Sequence, residues 1–366
     1  LDKIKYKNLR ILQLTDTLNS GGAEKMAVNL ANALVDEINA SYVCCTRYEG
    51  MLKEELNEQV GYIFLNKKHS LDLQAFWKLT TFIKEEEINI VHAHGTSWFW
   101  GVLLKISSLK IQLVWHDHYG ESELLNKRDI KFLRPLSKYF NGIIAVNDDL
   151  KAWAQKELNC KIVIQLNNFI ETSKVSNSEV RLKGEPTDFK IVCVANLRPQ
   201  KDLINLLSAF ELLRIEKISL HLIGVDPGTT YAQKVREKIC NSDRKIFYYE
   251  RISNVFSLLK QVDLGVLSSR SEGLPLALLE YGLVGIPVVC TDVGQCREVV
   301  DDAALLVPPS NSEVLAEAIE YYFYNPIRRK KDAQKLHEKI KEVYSKVSLM
   351  PMLSNFYGNL IEINGD

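Results

Sequence analysis

An excess of either charge is missing from this sequence. Lys+Arg 46 and Asp+Glu 46 cancel over 366 residues, which excludes a basic nucleic-acid footprint spread over the whole chain. No apolar stretch is long enough to cross a bilayer. The opening Leu-Asp-Lys-Ile-Lys-Tyr-Lys has charges but no apolar core behind them, so no secretory leader is expected there. Seven cysteines are scattered without a Cys-x-x-Cys. Cys193 and Cys290 lie in apolar, strand-like runs. They read as small buried hydrophobes of a reducing cytoplasm, not as zinc ligands. The dinucleotide spacing Gly-x-Gly-x-x-Gly is absent, as is Asp-x-Asp, and no short-period repeat or low-complexity segment occurs.

What is present is the composition of a globular protein, 46% hydrophobic and 25% charged, with length for two domains. Strand-like runs at Leu9–Leu14, Ser41–Thr46, Tyr62–Leu65, Ile88–Ala93, Gln112–Trp115 and Gly142–Val146 alternate with helical patterns, among them Leu71–Glu87. The alternation predicts a parallel sheet covered by helices. Polar residues Glu171 to Phe189 predict a connection between domains. A second α/β series then runs through Lys190–Ala195, Leu203–Arg214, Leu220–Gly224, Val262–Leu267, Ile286–Cys290 and Ala304–Val307. Ser310 and Glu313 predict a capping box for a helix over Val314–Tyr324, and Lys330–Ile363 reads as largely helical. The expected division is residues 1–170, a linker 171–189, residues 190–345 and a terminal helix 346–366.

The densest chemical signal is Ser-Arg-Ser-Glu-Gly-Leu-Pro-Leu-Ala-Leu-Leu-Glu, residues 269–280. Glu272 and Gly273 form a turn after a buried strand. Pro275 suits the first position of a helix, and Leu276, Leu279 and Leu283 give that helix a buried side. An isolated pair of glutamates would read as a loop charge and a solvated helix residue. Here Glu272 and Glu280 bracket a helix N-terminus, whose free N–H groups favour a phosphate. Carboxylates flanking an anion site are suited to the hydroxyl groups of the ligand that carries the phosphate, and hydroxyls plus phosphate describe a nucleotide-sugar.

Val194 to Asp202 leaves a strand and enters a helix that Asp202 is placed to cap. This presents Arg198 and Lys201 at the carboxyl edge of the sheet, where open α/β folds bind ligands. Asn19-Ser-Gly-Gly-Ala-Glu-Lys25 opens the first helix, and Gly21 and Gly22 let backbone N–H groups approach a diphosphate. His92, His94, His116 and His118, with Asp117, invite a metal reading. It is set aside because both pairs fall where a strand is ending, so a shared face need not persist. Residues Asn126 to Tyr139 interleave Lys127, Arg128, Lys131, Arg134 and Lys138 with apolar residues, broken by Pro135. They read either as a basic amphipathic contact for an anionic bilayer or as an ordinary surface helix.

The Glu-Gly-Leu-Pro and Leu-Leu-Glu segment resembles the E-x7-E motif of family 4 retaining glycosyltransferases with the GT-B fold, and the likeness extends over nearly the whole chain. It implies two doubly wound Rossmann-like domains facing across a cleft, with the last helix (Pro351–Ile363) crossing back to the N-terminal domain. It implies a nucleotide-sugar donor, a glycan or lipid-linked saccharide acceptor, no cofactor, no metal, and work at the cytoplasmic membrane face on surface polysaccharide. Carried over by residue, Lys201 holds the leaving diphosphate; Arg198, which matches no family position, is inferred to be its companion. Glu272 with Gly273 and Leu274 orients the sugar, Glu280 binds the ribose, and His116 faces the transferred sugar. Gly21, Gly22, Gly224 and Arg251 lie along the donor, and His94 and Asp117 lie on the acceptor side. The family's Gly-Arg-Leu is Ala195-Asn196-Leu197 here, so its arginine is missing and Arg198 stands two positions later. A GT-B-fold sugar-nucleotide epimerase and a non-catalytic partner subunit are the alternatives.

Overall fold

Runs of aliphatic and β-branched residues flanked by turn residues become the central strands of two parallel sheets, both faces covered by helices. The structure is a computed structural model that describes residues 6, 8–19, 21–107, 109–120, 122–170, 181–250, 252 and 255–362. The chain divides into two compact units, Leu1–Ser173 with Ser345–Asp366, and Lys174–Tyr344.

The first unit holds β1 (Arg10–Thr17), β2 (Ala40–Tyr48), β3 (Gly61–Phe64), β4 (Ile90–His94), β5 (Gln112–Asp117), β6 (Gly142–Ala145) and β7 (Val163–Gln165). They form a seven-stranded sheet in the order β3-β2-β1-β4-β5-β6-β7. The helix Gly22–Leu34 follows β1, and Leu73–Glu85 precedes β4, two residues shorter at each end than its periodicity predicts. Asp72 caps that helix by accepting from the Ala75 N–H at 3.1 Å. The last helix, Lys346–Glu362, belongs to this unit, and its Leu353, Phe356 and Tyr357 pack with Ile11, Ile90 and Val114. Gly142 is required here, because a Cβ on it would meet the Phe356 ring at 2.5 Å.

The second unit holds β8 (Phe189–Val194), β9 (Ile218–Ile223), β10 (Ile246–Tyr249), β11 (Leu264–Leu267), β12 (Val288–Thr291) and β13 (Leu305–Val307), in the order β10-β9-β8-β11-β12-β13. This is the doubly wound order whose reversal point lies between β8 and β11, and ligands bind outside the carboxyl ends of strands at such a point. The helix Leu276–Val284 follows β11. Its Tyr281 accepts the Val194 N–H at 2.7 Å and lies against Gly265, where a Cβ would meet its ring at 2.6 Å. One buried tyrosine thus fixes the helix to both β8 and β11.

Several local expectations are corrected. Pro275 is the residue before the helix, extended at ψ 112, and Leu276 is the first helical residue. Leu278 and Tyr281 are buried, while Leu276 and Leu283 are half-buried. The helix Ser312–Tyr324 is capped by Asn311, which accepts from the Val314 N–H at 3.0 Å. Ser310, at φ 55, turns to Asp202 instead. Asn126 to Tyr139 is not one amphipathic helix but is divided among short turns, Ser122–Lys127, Leu133–Leu136 and Ser137–Tyr139. Among the described residues no helix is long and apolar enough to cross a membrane.

Candidate active site

In the second unit the residues after β8 and β11 meet at the carboxyl edge of the sheet. Lys201 Nζ donates to Glu272 Oε1 at 2.5 Å, and Ser269 Oγ donates to the same oxygen at 2.6 Å. The expected phosphate cation and the expected sugar carboxylate therefore pair with each other here. Three contacts hold the turn that carries Glu272. Thr291 Oγ1 donates to Ser269 O at 2.7 Å, Gln295 N–H donates to Gly273 O at 3.1 Å, and Gly294 packs on the Glu272 carbonyl. These three residues were not picked out from the sequence. Gly294 has φ 50, and a Cβ on it would lie 1.9 Å from Glu272 O.

Asp202 does not cap its helix with its side chain. Its carboxylate accepts from Arg270 Nε at 2.7 Å and from Ser310 Oγ at 3.0 Å, and its backbone is left-handed at φ 44. That ion pair ties the loop bearing Lys201 to the loop bearing Glu272. Arg198 is exposed in the same loop. Asn196, at the position of the family's arginine, accepts the Val225 N–H through Oδ1 at 2.9 Å, which anchors the end of β9. Gly224 follows β9, and a Cβ there would lie 2.0 Å from Ala195 O. The expected glycine loop thus has a packing reason as well. Glu280 is buried, in the second turn of Leu276–Val284. Leu274 is buried just ahead of that helix. Arg251 lies outside the described residues.

In the first unit Gly21 precedes the helix Gly22–Leu34, with open space around the Cβ position of Gly22. Beside this turn is a network that the sequence did not reveal. Asp16 at the end of β1 accepts from Thr46 Oγ1 at 2.6 Å, Thr96 Oγ1 at 2.7 Å and Lys67 Nζ at 3.2 Å. Burial raises the Asp16 carboxyl, but the two threonines and the Lys67 charge outweigh it and leave it below its usual value. Lys67 also lies 4.5 Å from the centre of the Trp100 ring.

The histidines share one face after all, which corrects the expectation that the face would be lost at the strand ends. β4 and β5 pair with His92 opposite Val114 and His94 opposite His116. The rings of His92 and His94 are 4.5 Å apart, those of His92 and His116 5.1 Å, and those of His116 and His118 4.0 Å. Burial pushes His92 down to about 3 and His94 and His116 well below the usual imidazole range, so the stack stays neutral near pH 7. Ligand atoms of His92, His94 and His116 lie within 4.8 Å of one another, a grouping able to hold a cation. The rings are only 14–36° from parallel, however. Imidazole lone pairs lie in the ring plane, so stacked rings direct them side by side; chelation needs at least one ring to turn. Asp117, expected on the acceptor side, is buried and engaged by both terminal nitrogens of Arg128, at 2.5 and 2.9 Å. Arg128 is therefore withdrawn from the basic segment that was read either as a bilayer contact or as an ordinary surface helix. Lys127, Lys131, Phe132, Arg134 and Lys138 remain exposed.

The two sheets define a GT-B fold. The structure of Anabaena Alr3699/HepE in complex with UDP-glucose superposes with TM-score 0.78 at 18% identity, covering 96% of this chain and 100% of that one. Residues 177–343 match the family Glycosyl transferases group 1, and residues 20–174 match Glycosyltransferase Family 4. The chain belongs to this family, retaining transferases that use nucleotide sugars. Among curated relatives, the O-antigen biosynthesis glycosyltransferase WbnH of Escherichia coli is 24% identical over 301 residues, 80% of this chain and 84% of the relative. The GalNAc-alpha-(1->4)-GalNAc-alpha-(1->3)-diNAcBac-PP-undecaprenol alpha-1,4-N-acetyl-D-galactosaminyltransferase of Campylobacter jejuni is 24% identical over 281 residues, 74% of this chain and 76% of the relative.

Proposed function

We propose that this chain is a metal-independent hexosyltransferase that moves a sugar, with retention, from a UDP-sugar to a lipid-linked or glycan acceptor in surface polysaccharide assembly. The observation that carries this reading is the meeting of Lys201 and Glu272 at the reversal point of the second sheet, ahead of the helix that holds Glu280. The names of the Escherichia coli and Campylobacter jejuni relatives support the pathway and a lipid-linked acceptor. In this reading the donor separates the Lys201–Glu272 pair. Lys201 turns to the diphosphate with Arg198, and Glu272 with the Gly273 and Leu274 backbone takes the sugar hydroxyls. The departing diphosphate stabilises an oxocarbenium-like sugar and accepts the acceptor's proton, so the protein's contribution is positioning and charge stabilisation. A lipid-linked acceptor places the reaction at the cytoplasmic membrane face, with exposed Lys127, Lys131, Arg134 and Lys138 as the charges nearest an anionic surface.

Glu280 is the residue assigned to the ribose diol. Glu280→Ala should weaken nucleotide-sugar binding by about 2 kcal/mol, the worth of a hydrogen bond to a charged group, and Glu280→Gln should do less harm. Calorimetry that finds donor affinity unchanged in both variants removes Glu280 from the donor site.

Metal independence is tested separately. With Lys201 and Arg198 neutralising the leaving group, turnover should persist in excess EDTA. Activity that disappears on chelation and returns with magnesium or manganese would overturn the assignment of the diphosphate to these two cations.

A further inference from the structure

The histidine stack contains a hydrogen-bonded path whose direction can be worked out atom by atom. Gln13 on β1 is fully buried, and its Oε1 lies 2.8 Å from His94 Nε2. In this carboxamide orientation, in which Gln13 Nε2 has no partner among the described residues, the oxygen only accepts, so His94 carries its proton on Nε2 and leaves Nδ1 as a lone pair. His94 Nδ1 is in turn 3.0 Å from His118 Nε2. Two lone pairs do not bond, so His118 donates through Nε2–H, and its own Nδ1 is left as an acceptor. His118 follows β5 directly and is largely but not fully buried, at the carboxyl edge of the sheet. His116 lies beneath it with 0% exposure, and neither of its ring nitrogens has a partner among the described residues.

We propose that His118 is the imidazole that touches the saccharide, accepting a hydrogen bond from a sugar hydroxyl through Nδ1, and that Gln13 and His94 are positioning residues that fix its tautomer. His116 then serves as the surface on which the His118 ring stacks. The proposal rests on the transferase reading and deepens it, because the strand-end histidine nearest the substrate becomes a different one from that implied by family resemblance. Burial holds His118 down to about 3, so this acceptor stays uncharged across the physiological range. A neutral acceptor at a strand end suits a hydroxyl and does not attract a phosphate. The hydroxyl belongs either to the transferred sugar or to the acceptor saccharide, and kinetics separate the two sources.

Two measurements on the full chain test this. Nitrogen-15 NMR of histidine-labelled protein should show His118 and His94 as Nε2–H tautomers. In Gln13→Met, which keeps the side-chain length but removes the accepting oxygen, the His118 tautomers should mix and turnover should fall about threefold. His118→Phe keeps a stacking ring without nitrogens. It should lower kcat/KM about tenfold, more than His116→Phe does. A loss that appears in donor KM and in acceptor-free donor hydrolysis assigns the hydroxyl to the transferred sugar. A loss confined to acceptor KM assigns it to the acceptor. His118 found as the Nδ1–H tautomer, or His118→Phe turning over within twofold of an active wild type, or a larger loss in His116→Phe, overturns the proposal. A wild-type chain that turns over no nucleotide-sugar overturns the transferase reading itself, and this one with it.

Discussion

Lys201→Ala is expected to lower kcat by about two to three orders of magnitude, the loss typical when one preorganised charge-stabilising group is removed. Leaving-group charge grows toward the transition state, so the loss should fall on kcat more than on donor affinity. The structure adds a second effect. Lys201 pairs with Glu272 at 2.5 Å, and the Glu272 side chain is only 7% exposed. Removing the lysine takes away the cation paired with Glu272, while the Ser269 hydroxyl still donates to it, and should cost about 1–3 kcal/mol of stability. The two effects separate in the double variant Lys201→Ala, Glu272→Gln. Neutralising Glu272 lowers the cost of burying it without the lysine, so Tm should recover most of its loss while turnover stays low. Nucleotide release and thermal denaturation on the same preparations decide the matter. Lys201→Ala turning over within threefold of wild type would show that Arg198 and the helix end suffice for the leaving group.

Gly294→Ala should be nearly as damaging, for a steric reason. Its φ is 50, and an added Cβ would lie 1.9 Å from Glu272 O and 3.1 Å from Gly273 O. Neither oxygen is the end of a flexible side chain, so the turn itself must move. A displacement of about 1 Å in a positioned group costs about a hundredfold in rate, and kcat/KM should fall by that order. The left-handed backbone adds roughly 1 kcal/mol of destabilisation. Gly285→Ala is the control. Gly285 is also left-handed, at φ 80, but its Cβ would meet nothing nearer than His337 Nδ1 at 3.9 Å. It should lose stability with a far smaller loss of rate. Equal kinetic losses in both variants would mean that Gly294 acts through stability alone.

The parts of the site readable from sequence were those written in one local stretch. Glu272, Pro275 and Glu280 lie in a single strand-turn-helix, so spacing alone placed the helix to within one residue. Lys201 was legible for the same reason. Residues brought in from other strands were not. Asp16 and Lys67 are separated by 51 positions, and nothing local to either announces a pair. Gly294 stands one strand beyond the turn it supports, where a glycine reads only as a loop. The histidine stack depends on the register that sets His94 opposite His116. Register between parallel strands is set by the whole sheet, which the pattern of one strand does not report. β7 and β10 were missed because both are short edge strands whose residues are only half-buried. The misplaced caps at Asp202 and Ser310 share a cause. Both side chains were drawn into one ion-pair network with Arg270 instead of serving their own helices.

The packing of Lys346–Glu362 against Ile11, Ile90 and Val114 sets the order in which this protein completes itself during synthesis. The ribosome makes the first sheet early, but the residues that seal one of its faces arrive only after the entire second unit. Until Leu353, Phe356 and Tyr357 emerge, that face is a wet apolar surface, and His92 lacks the hydroxyl that bonds its Nδ1 at 2.6 Å. Nascent chains stopped before Lys346 carry a finished second unit and an unfinished first one. Such chains are the ones a chaperone that recognises exposed apolar surface would retain.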